Sequence, residues 1–301
     1  MCELPMKATL LSLGVILLLV FCCFLININK LTNPLSFKDQ ETLEKEIQYS
    51  YSLINTKNKV LSKAEIWFYA PALKTSFQDC LSLKSSFPYE RIVDKFGNQI
   101  IHLTLTNIPP FSTKIVHIKS NLRTYSYPKK IELLDFSLFL QPEAFIQSDN
   151  PEIVQLAKTL QSKDPLQTVS NIFNWIANKI QYVGYVKNER GALHALQSKK
   201  GDCTEFAYLF VALCRANGIP AKPIGGYICK DNCIVKSEQY HNWANFYHDG
   251  AWHLADPQKK VFMDNATQYI AMKQMGKISD NPSEDFQRLR VIGEGLNVRM
   301  N

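Results

Sequence analysis

Glycine and proline are scarce in this chain, at 12 and 14 of 301 residues. That excludes collagen-like and low-complexity architectures. Concentrated positive charge is missing too. Lys and Arg exceed Asp and Glu by 34 − 27 = 7, with no dense basic run. A nucleic-acid binder needs basic residues gathered on one face, so no nucleic-acid partner is expected. No acidic cluster has calcium-loop spacing, and no metal or other cofactor is expected. Cysteine is too sparse for a disulfide scaffold. Of eight, five lie beyond residue 30: Cys80, Cys203, Cys214, Cys229 and Cys233. An odd number leaves at least one thiol free. Internal repeats are absent. What remains is 46% hydrophobic and 20% charged, enough apolar material for a globular core.

One long apolar run stands apart. Ala8–Ile28 holds 21 residues without a charge, between Lys7 and Lys30. About 20 helical residues span a ~30 Å hydrocarbon layer. A cleaved signal has an apolar stretch of ~7–15 residues and a small-x-small cleavage site. The end of this run, Phe24-Leu25-Ile26-Asn27-Ile28-Asn29, has no such site. Residues 1–30 therefore read as a retained signal anchor, a single transmembrane helix with the rest of the chain outside the cytoplasm. Residues 31–58, with the charged stretch Glu41-Thr42-Leu43-Glu44-Lys45-Glu46, read as a linker or short helix leaving the membrane.

Residues 59–128 have β character. Ala64–Tyr69, Gln99–Thr106 and Lys114–Lys119 are β-branched, aromatic or alternating runs, separated by Asp94-Lys95-Phe96-Gly97-Asn98 and Pro109-Pro110. Their spacing suggests a small β-sandwich. His102 and His117 are lone histidines on strands and read as ordinary sheet residues. From about residue 145 the period becomes helical. Asn150-Pro151 and Asp164-Pro165 each open a helix, with proline at the first position. A third starts at Gly201-Asp202-Cys203 and ends at Asn217-Gly218, with Ile219-Pro220 leaving it. Strands follow around Ile224–Ile228, Trp243–Tyr247 and Ala251–Ala255, and Asp249-Gly250 between the last two is a two-residue hairpin signal.

Chemistry gathers in this last stretch. Cys203 falls in the first turn of its helix, where free N–H groups and the helix dipole favour a thiolate. Cys214, mid-helix, reads as a buried and inert packing residue. With a two-residue turn at Asp249-Gly250, His248 faces Ala251 and Trp243 faces Asp256. His241 then shares a face with Asp256 as a diagonal neighbour, ~7–8 Å away between backbones. A carboxylate there can hold one imidazole nitrogen and leave the other for a thiol. The same register puts His248 at the turn tip and His253 on the opposite face, so both read as structural. Cys229-Lys230-Asp231-Asn232-Cys233 is compatible with a disulfide-closed loop; a metal half-site there would lack two further ligands.

Gly201-Asp202-Cys203-Thr204-Glu205-Phe206-Ala207, continuing through Leu213-Cys214-Arg215-Ala216-Asn217-Gly218-Ile219-Pro220-Ala221, resembles the nucleophile helix of the transglutaminase-like superfamily. Gly226-Tyr227 is similar to the following strand, His241-Asn242-Trp243-Ala244 to the histidine strand, and Trp252-His253-Leu254-Ala255-Asp256-Pro257 to the aspartate block. The blocks occur in order within about 145–260. Lys222 stands where the family commonly has Arg, a conservative departure. The region ahead of them resembles the sandwich that precedes the core in bacterial members. The resemblance implies an α+β fold: a papain-like transglutaminase core in 145–301, after the β-sandwich (59–128) and the transmembrane helix. It assigns Cys203 as nucleophile, His241 as base then acid, and Asp256 as the group that orients His241. Gln197 is a candidate second oxyanion donor but reads as a solvated residue of the loop before the helix.

Three functions stay open: a peptidase or amidase, a crosslinking transglutaminase, and a non-catalytic binding or scaffold protein. The first is the leading expectation, acting on a protein or peptide substrate. Shielding a thioester from ~55 M water needs a walled acceptor tunnel, and only Trp243 lies close to the triad.

Overall fold

The computed structural model describes residues 42–131, 135–275, 286 and 288–301. The expected anchor, Ala8–Ile28, lies outside the described residues. Among those described, no helix is long and apolar enough to cross a membrane.

Part of the segment expected as a linker is a strand. β1 (Thr42–Asn55) turns Lys45, Ile47, Tyr49, Tyr51 and Leu53 inward. The alternation is regular, but it begins on a lysine, and that disguises it. The Lys45 ammonium is buried with two carbonyl partners, Cys229 O and Thr267 O, both at 2.7 Å. Downstream are β2 (Leu61–Ala70), β3 (Gln78–Ser85), β4 (Glu90–Val93), β5 (Gln99–Ile108) and β6 (Thr113–Tyr125).

Strands β1, β6 and β3 form one antiparallel sheet, and β2, β5 and β4 form a second. The inward residues of both, among them Ile47, Leu53, Ile66, Phe68, Leu103 and Val116, share one buried cluster.

The helical part begins where the prolines place it. α1 (Pro151–Leu160) is capped by Asn150, whose Oδ1 accepts from Glu152 N. α2 (Pro165–Lys179) is capped by Asp164, which accepts from Leu166 N. The two-residue β7 (Gln181–Tyr182) pairs in parallel with β8 (Lys200–Gly201), and α3 (Gly191–Ser198) lies between them. No side chain caps α3, so the sequence carries no start signal for it. α4 (Cys203–Ala216) is buried along most of its length.

A third sheet follows: β9 (Ala221–Ile228), β11 (His241–His248), β12 (Ala251–Asp256), β13 (Val261–Phe262) and β14 (Tyr269–Gln274). Its order is β13-β12-β11-β9-β14. Ala221, Ala244, Phe246 and Ala255 face the helices in one core, while Ile224, Trp243, Leu254 and Tyr269 meet Phe77 and Ala72 on the other side.

The remaining strands tie this region to the first two sheets. β10 (Cys233–Ile234) runs parallel to β1, β15 (Leu289–Ile292) adds to β2, and β16 (Leu296–Met300) adds to β1. The span 145–301 thus ends on strands that complete the earlier sheets, and Thr42–Asn301 forms one unit.

Candidate active site

Asp202 sets the start of α4. Its Oδ1 accepts from Thr204 N at 2.8 Å and its Oδ2 from Val186 N at 3.0 Å. Glu205, buried, closes the capping box by accepting from Asp202 N at 3.0 Å, and its other contacts are to Arg190. Such a double cap fixes the first turn rigidly. Cys203 is the first helical residue, half-buried, with its thiol free of any disulfide. Its backbone N–H makes no hydrogen bond among the described residues.

The hairpin sets the other half of the site. Asp249 and Gly250 take φ of 46° and 79°. Positive φ at both central residues is the two-residue turn that matches strand twist. The ladder then pairs His248 with Ala251, Tyr247 with Trp252 and Phe246 with His253. Its last pair is Ala244 with Ala255, so Trp243 and Asp256 come next. His241 Nε2 donates to Asp256 Oδ2 at 2.6 Å. That leaves Nδ1 free of Asp256, and Cys203 lies close enough to act on the ring. The three residues singled out in the sequence are brought together.

Asp256 is fully buried and amply held. Oδ2 also accepts from Tyr269 Oη at 3.0 Å, and Oδ1 from Lys259 N at 3.1 Å. Burial opposes a charged ring on His241. The hydrogen bond to Asp256 and the influence of Cys203 outweigh it and hold the imidazole up at about 9. Cys214 is the contrast to Cys203: fully buried in the helical core, its thiol pushed well above the ordinary range by that burial.

Close packing joins these parts. A Cβ on Gly226, the partner of His241 in β9, would lie 2.0 Å from Ile270 O. Only glycine lets β14, and with it Tyr269, approach this closely. Asn242 Nδ2 donates to Thr204 Oγ1 at 2.8 Å, linking the histidine strand to the first turn of α4.

Other candidates fall away from the site. His253 lies on the opposite face, stacked on Phe246, with Nε2 donating to His248 O at 3.0 Å. Gln197 is on α3, not in a loop, and donates to Glu152 Oε1 at 2.7 Å on the surface, so it does not supply an oxyanion donor. Cys229 and Cys233 are joined as a disulfide. Among the described residues no cluster of three His, Cys, Asp or Glu could hold a metal.

Tyr269, Tyr182 and Tyr240 were not singled out. Burial raises the Tyr182 and Tyr240 phenols, and the charge of Cys203 adds to both, which places them near the thiol. Tyr182 belongs to a strand of only two residues, too short for a periodicity. A cavity of about 980 Å³ has Thr204, Tyr240 and Asn242, the chain neighbours of Cys203 and His241, in its wall.

A candidate cysteine protease from Cytophaga hutchinsonii shares the fold, with a TM-score of 0.58 at 20% identity over 87% of this chain and 92% of that one. The periplasmic domain of TgpA from Pseudomonas aeruginosa superposes at a TM-score of 0.40 and 14% identity, over 71% of this chain and 70% of that one. An uncharacterized protein of Mycobacterium leprae is 25% identical over 177 residues. That alignment covers 56% of this chain and 62% of the relative, so the chain spans under two thirds of that relative's length. The model of the transglutaminase-like superfamily matches residues 154–257, which contain Cys203, His241 and Asp256. Residues 154–257 thus carry a transglutaminase-like core domain.

Proposed function

We propose that the protein is a cysteine-dependent amide hydrolase, a peptidase or amidase acting on proteins or peptides through a thioester on Cys203. The observation that carries this reading is the position of His241, hydrogen-bonded to Asp256 and acted on by Cys203 from the first turn of α4. The Cys203 thiolate attacks the amide carbonyl. The Cys203 backbone N–H, unpaired among the described residues, faces the developing oxyanion. His241 gives its proton to the leaving amine, and the C–N bond breaks to leave a thioester. His241 then accepts a proton from water as water attacks, and the carboxylic acid departs with the thiol restored. Asp256 keeps the ring in place and stabilises its charged form.

Hydrolysis is preferred over crosslinking because the nearby tryptophans do not wall the cleft. Trp243 is 2% exposed and Trp252 3%, packed on Tyr269 and Tyr247 respectively. With no apolar acceptor channel from these rings, water reaches the thioester. The expected result with a glutaminyl or short peptide substrate is deamidation or cleavage, even with millimolar primary amine, read by mass spectrometry. Mostly amine-incorporated product would make the enzyme a transferase. The thiol itself is tested by iodoacetamide at pH 6–7: Cys203 labels faster than Cys214, and His241→Ala slows the labelling of Cys203. Equal labelling of Cys203 in wild type and His241→Ala would refute the pair.

The same proposal places the domain outside the cytoplasm, held by the apolar run Ala8–Ile28. The Cys229–Cys233 disulfide supports an oxidising compartment. A C-terminal alkaline-phosphatase fusion is expected to be active; an inactive one beside a fluorescent cytoplasmic reporter would reverse the topology.

A further inference from the structure

A second cavity of about 260 Å³ meets the first at Tyr240, Arg288 and Leu289, which line both. Its walls are unusual for their charge. Tyr51, Tyr69, Tyr227 and Tyr240 line it together with Arg288 and Arg299, and no Asp or Glu does. Arg288 lies 4.2 Å over the Tyr240 ring and donates from Nη1 to Ser237 O at 3.1 Å. A guanidinium has five N–H donors, so most of its fork remains unused. Glu238, next to Ser237 in the chain, is exposed and accepts from Ser237 Oγ at 3.2 Å. Arg288 thus has no carboxylate partner among the described residues.

Tyr240 connects this cation to the nucleophile. Tyr240 precedes His241 in the chain and lines both cavities, and the first is also walled by Thr204, the residue after Cys203. A ligand that follows the cavities from Thr204 past the Tyr240 ring meets Arg288. We propose that this recess is a carboxylate-binding subsite, and that the substrate is a peptide with a free carboxylate a short distance from the scissile amide. The inference rests on the amide-hydrolase reading and adds the substrate class. A planar fork matches a carboxylate bidentately. The carboxylate can be the C-terminal one or an Asp or Glu side chain.

The test uses the full-length protein and needs no turnover. Three N-acetylated dipeptide probes compete with iodoacetamide for access to Cys203: one with a free C-terminal carboxylate, its C-terminal carboxamide, and a carboxamide with an aspartyl side chain. At least one acid is expected to protect Cys203 at roughly tenfold lower concentration than the neutral amide, as a charge-assisted fork would give. Whichever acid does so names the source. Arg288→Met abolishes the advantage, and Arg288→Lys, which keeps the charge without the fork, restores part of it. Equal protection by all three probes, no protection by any, or an advantage that survives in Arg288→Met overturns the proposal. Failure of the enzyme reading looks different: Cys203 would then label no faster than Cys214 in the absence of any probe.

Discussion

His241 and Lys222 are basic side chains buried on the same face of the third sheet, and their titrations are displaced in opposite directions. In the β9–β11 ladder Gly226 faces His241 and Lys222 faces Asn245. The two sites are four residues apart along the strands, or about 13 Å. Burial opposes the charged form of each. His241 is nevertheless held up at about 9, whereas Lys222 is held down at about 7 by burial alone. The Lys222 Nζ donates to Gln274 Oε1 at 2.8 Å and lies 4.0 Å over Trp252 and 5.3 Å over Phe139. An amide oxygen and two aromatic faces satisfy the hydrogen-bonding group without replacing the hydration of an ion. A carboxylate at 2.6 Å does replace it. Depth of burial therefore does not decide the protonation state in this sheet; the charge of the neighbour does.

The most direct way to break the contrast is to give His241 a neutral neighbour. Asp256→Asn keeps the size of the side chain and removes its charge, leaving His241 in surroundings like those of Lys222. Its pKa is expected to fall from about 9 to near or below the ordinary 6.5, read by imidazole NMR or by the pH dependence of Cys203 alkylation. Turnover should drop by roughly 10⁴, the scale of the corresponding change in a Ser-His-Asp triad. An alkylation profile identical to wild type would mean that Asp256 does not hold the charge on the ring.

A second experiment reads the contrast as stability. Between pH 6.5 and about 9 the folded protein keeps the His241 proton that the unfolded chain has lost, so stability falls as pH rises. Between about 7 and 10.5 the unfolded chain holds the Lys222 proton and the folded one does not, so stability rises with pH. From about 7 to 9 the two slopes oppose each other. Lys222→Met removes the rising one. Urea melts at pH 7, 8 and 9 should then lose up to ~1.4 kcal/mol per pH unit relative to wild type. His241→Ala should tilt the curve the other way. A Lys222→Met curve parallel to wild type would show that Lys222 is charged throughout.

Much of this face could be read from the chain because its signals are local. The Asp249-Gly250 turn sets the register that brings Asp256 to His241, and both residues adopt positive φ. The start of α4 is equally local, with Asp202 and Glu205 capping the turn that presents Cys203. What could not be read is what arrives from a distance. β1 reads as a linker or short helix in the sequence because an inward lysine, Lys45, interrupts its apolar alternation, and the partners of that lysine are carbonyls 184 and 222 residues away. β15 and β16 close sheets begun more than 200 residues earlier. Tyr269 reaches Asp256 only because β14 pairs with β9, with a register shift between Ala271 and Lys273 that no pattern in β14 announces.

Tyr269→Phe is the finest probe of the same pair. The phenol donates to Asp256 Oδ2, the oxygen that also receives His241. Without it, less of the carboxylate charge is neutralised, so Asp256 stabilises the imidazolium more strongly and the His241 pKa should move above about 9. The carboxylate is also less firmly placed, with Lys259 N on Oδ1 as its other donor. Loss of one hydrogen bond is worth about 1 kcal/mol, so kcat/KM is expected to fall roughly three- to tenfold. Phe fills the same space against Trp243, whose ring lies 5.1 Å away edge-on, so the melting temperature should change little. The alkaline limb of the pH–rate profile separates a positioning role from packing. An upward displacement with unchanged stability identifies Tyr269 as a group that sets the basicity of Asp256. Lost stability with an unmoved profile would make it a packing residue and leave His241 and Asp256 as a pair that needs no third member.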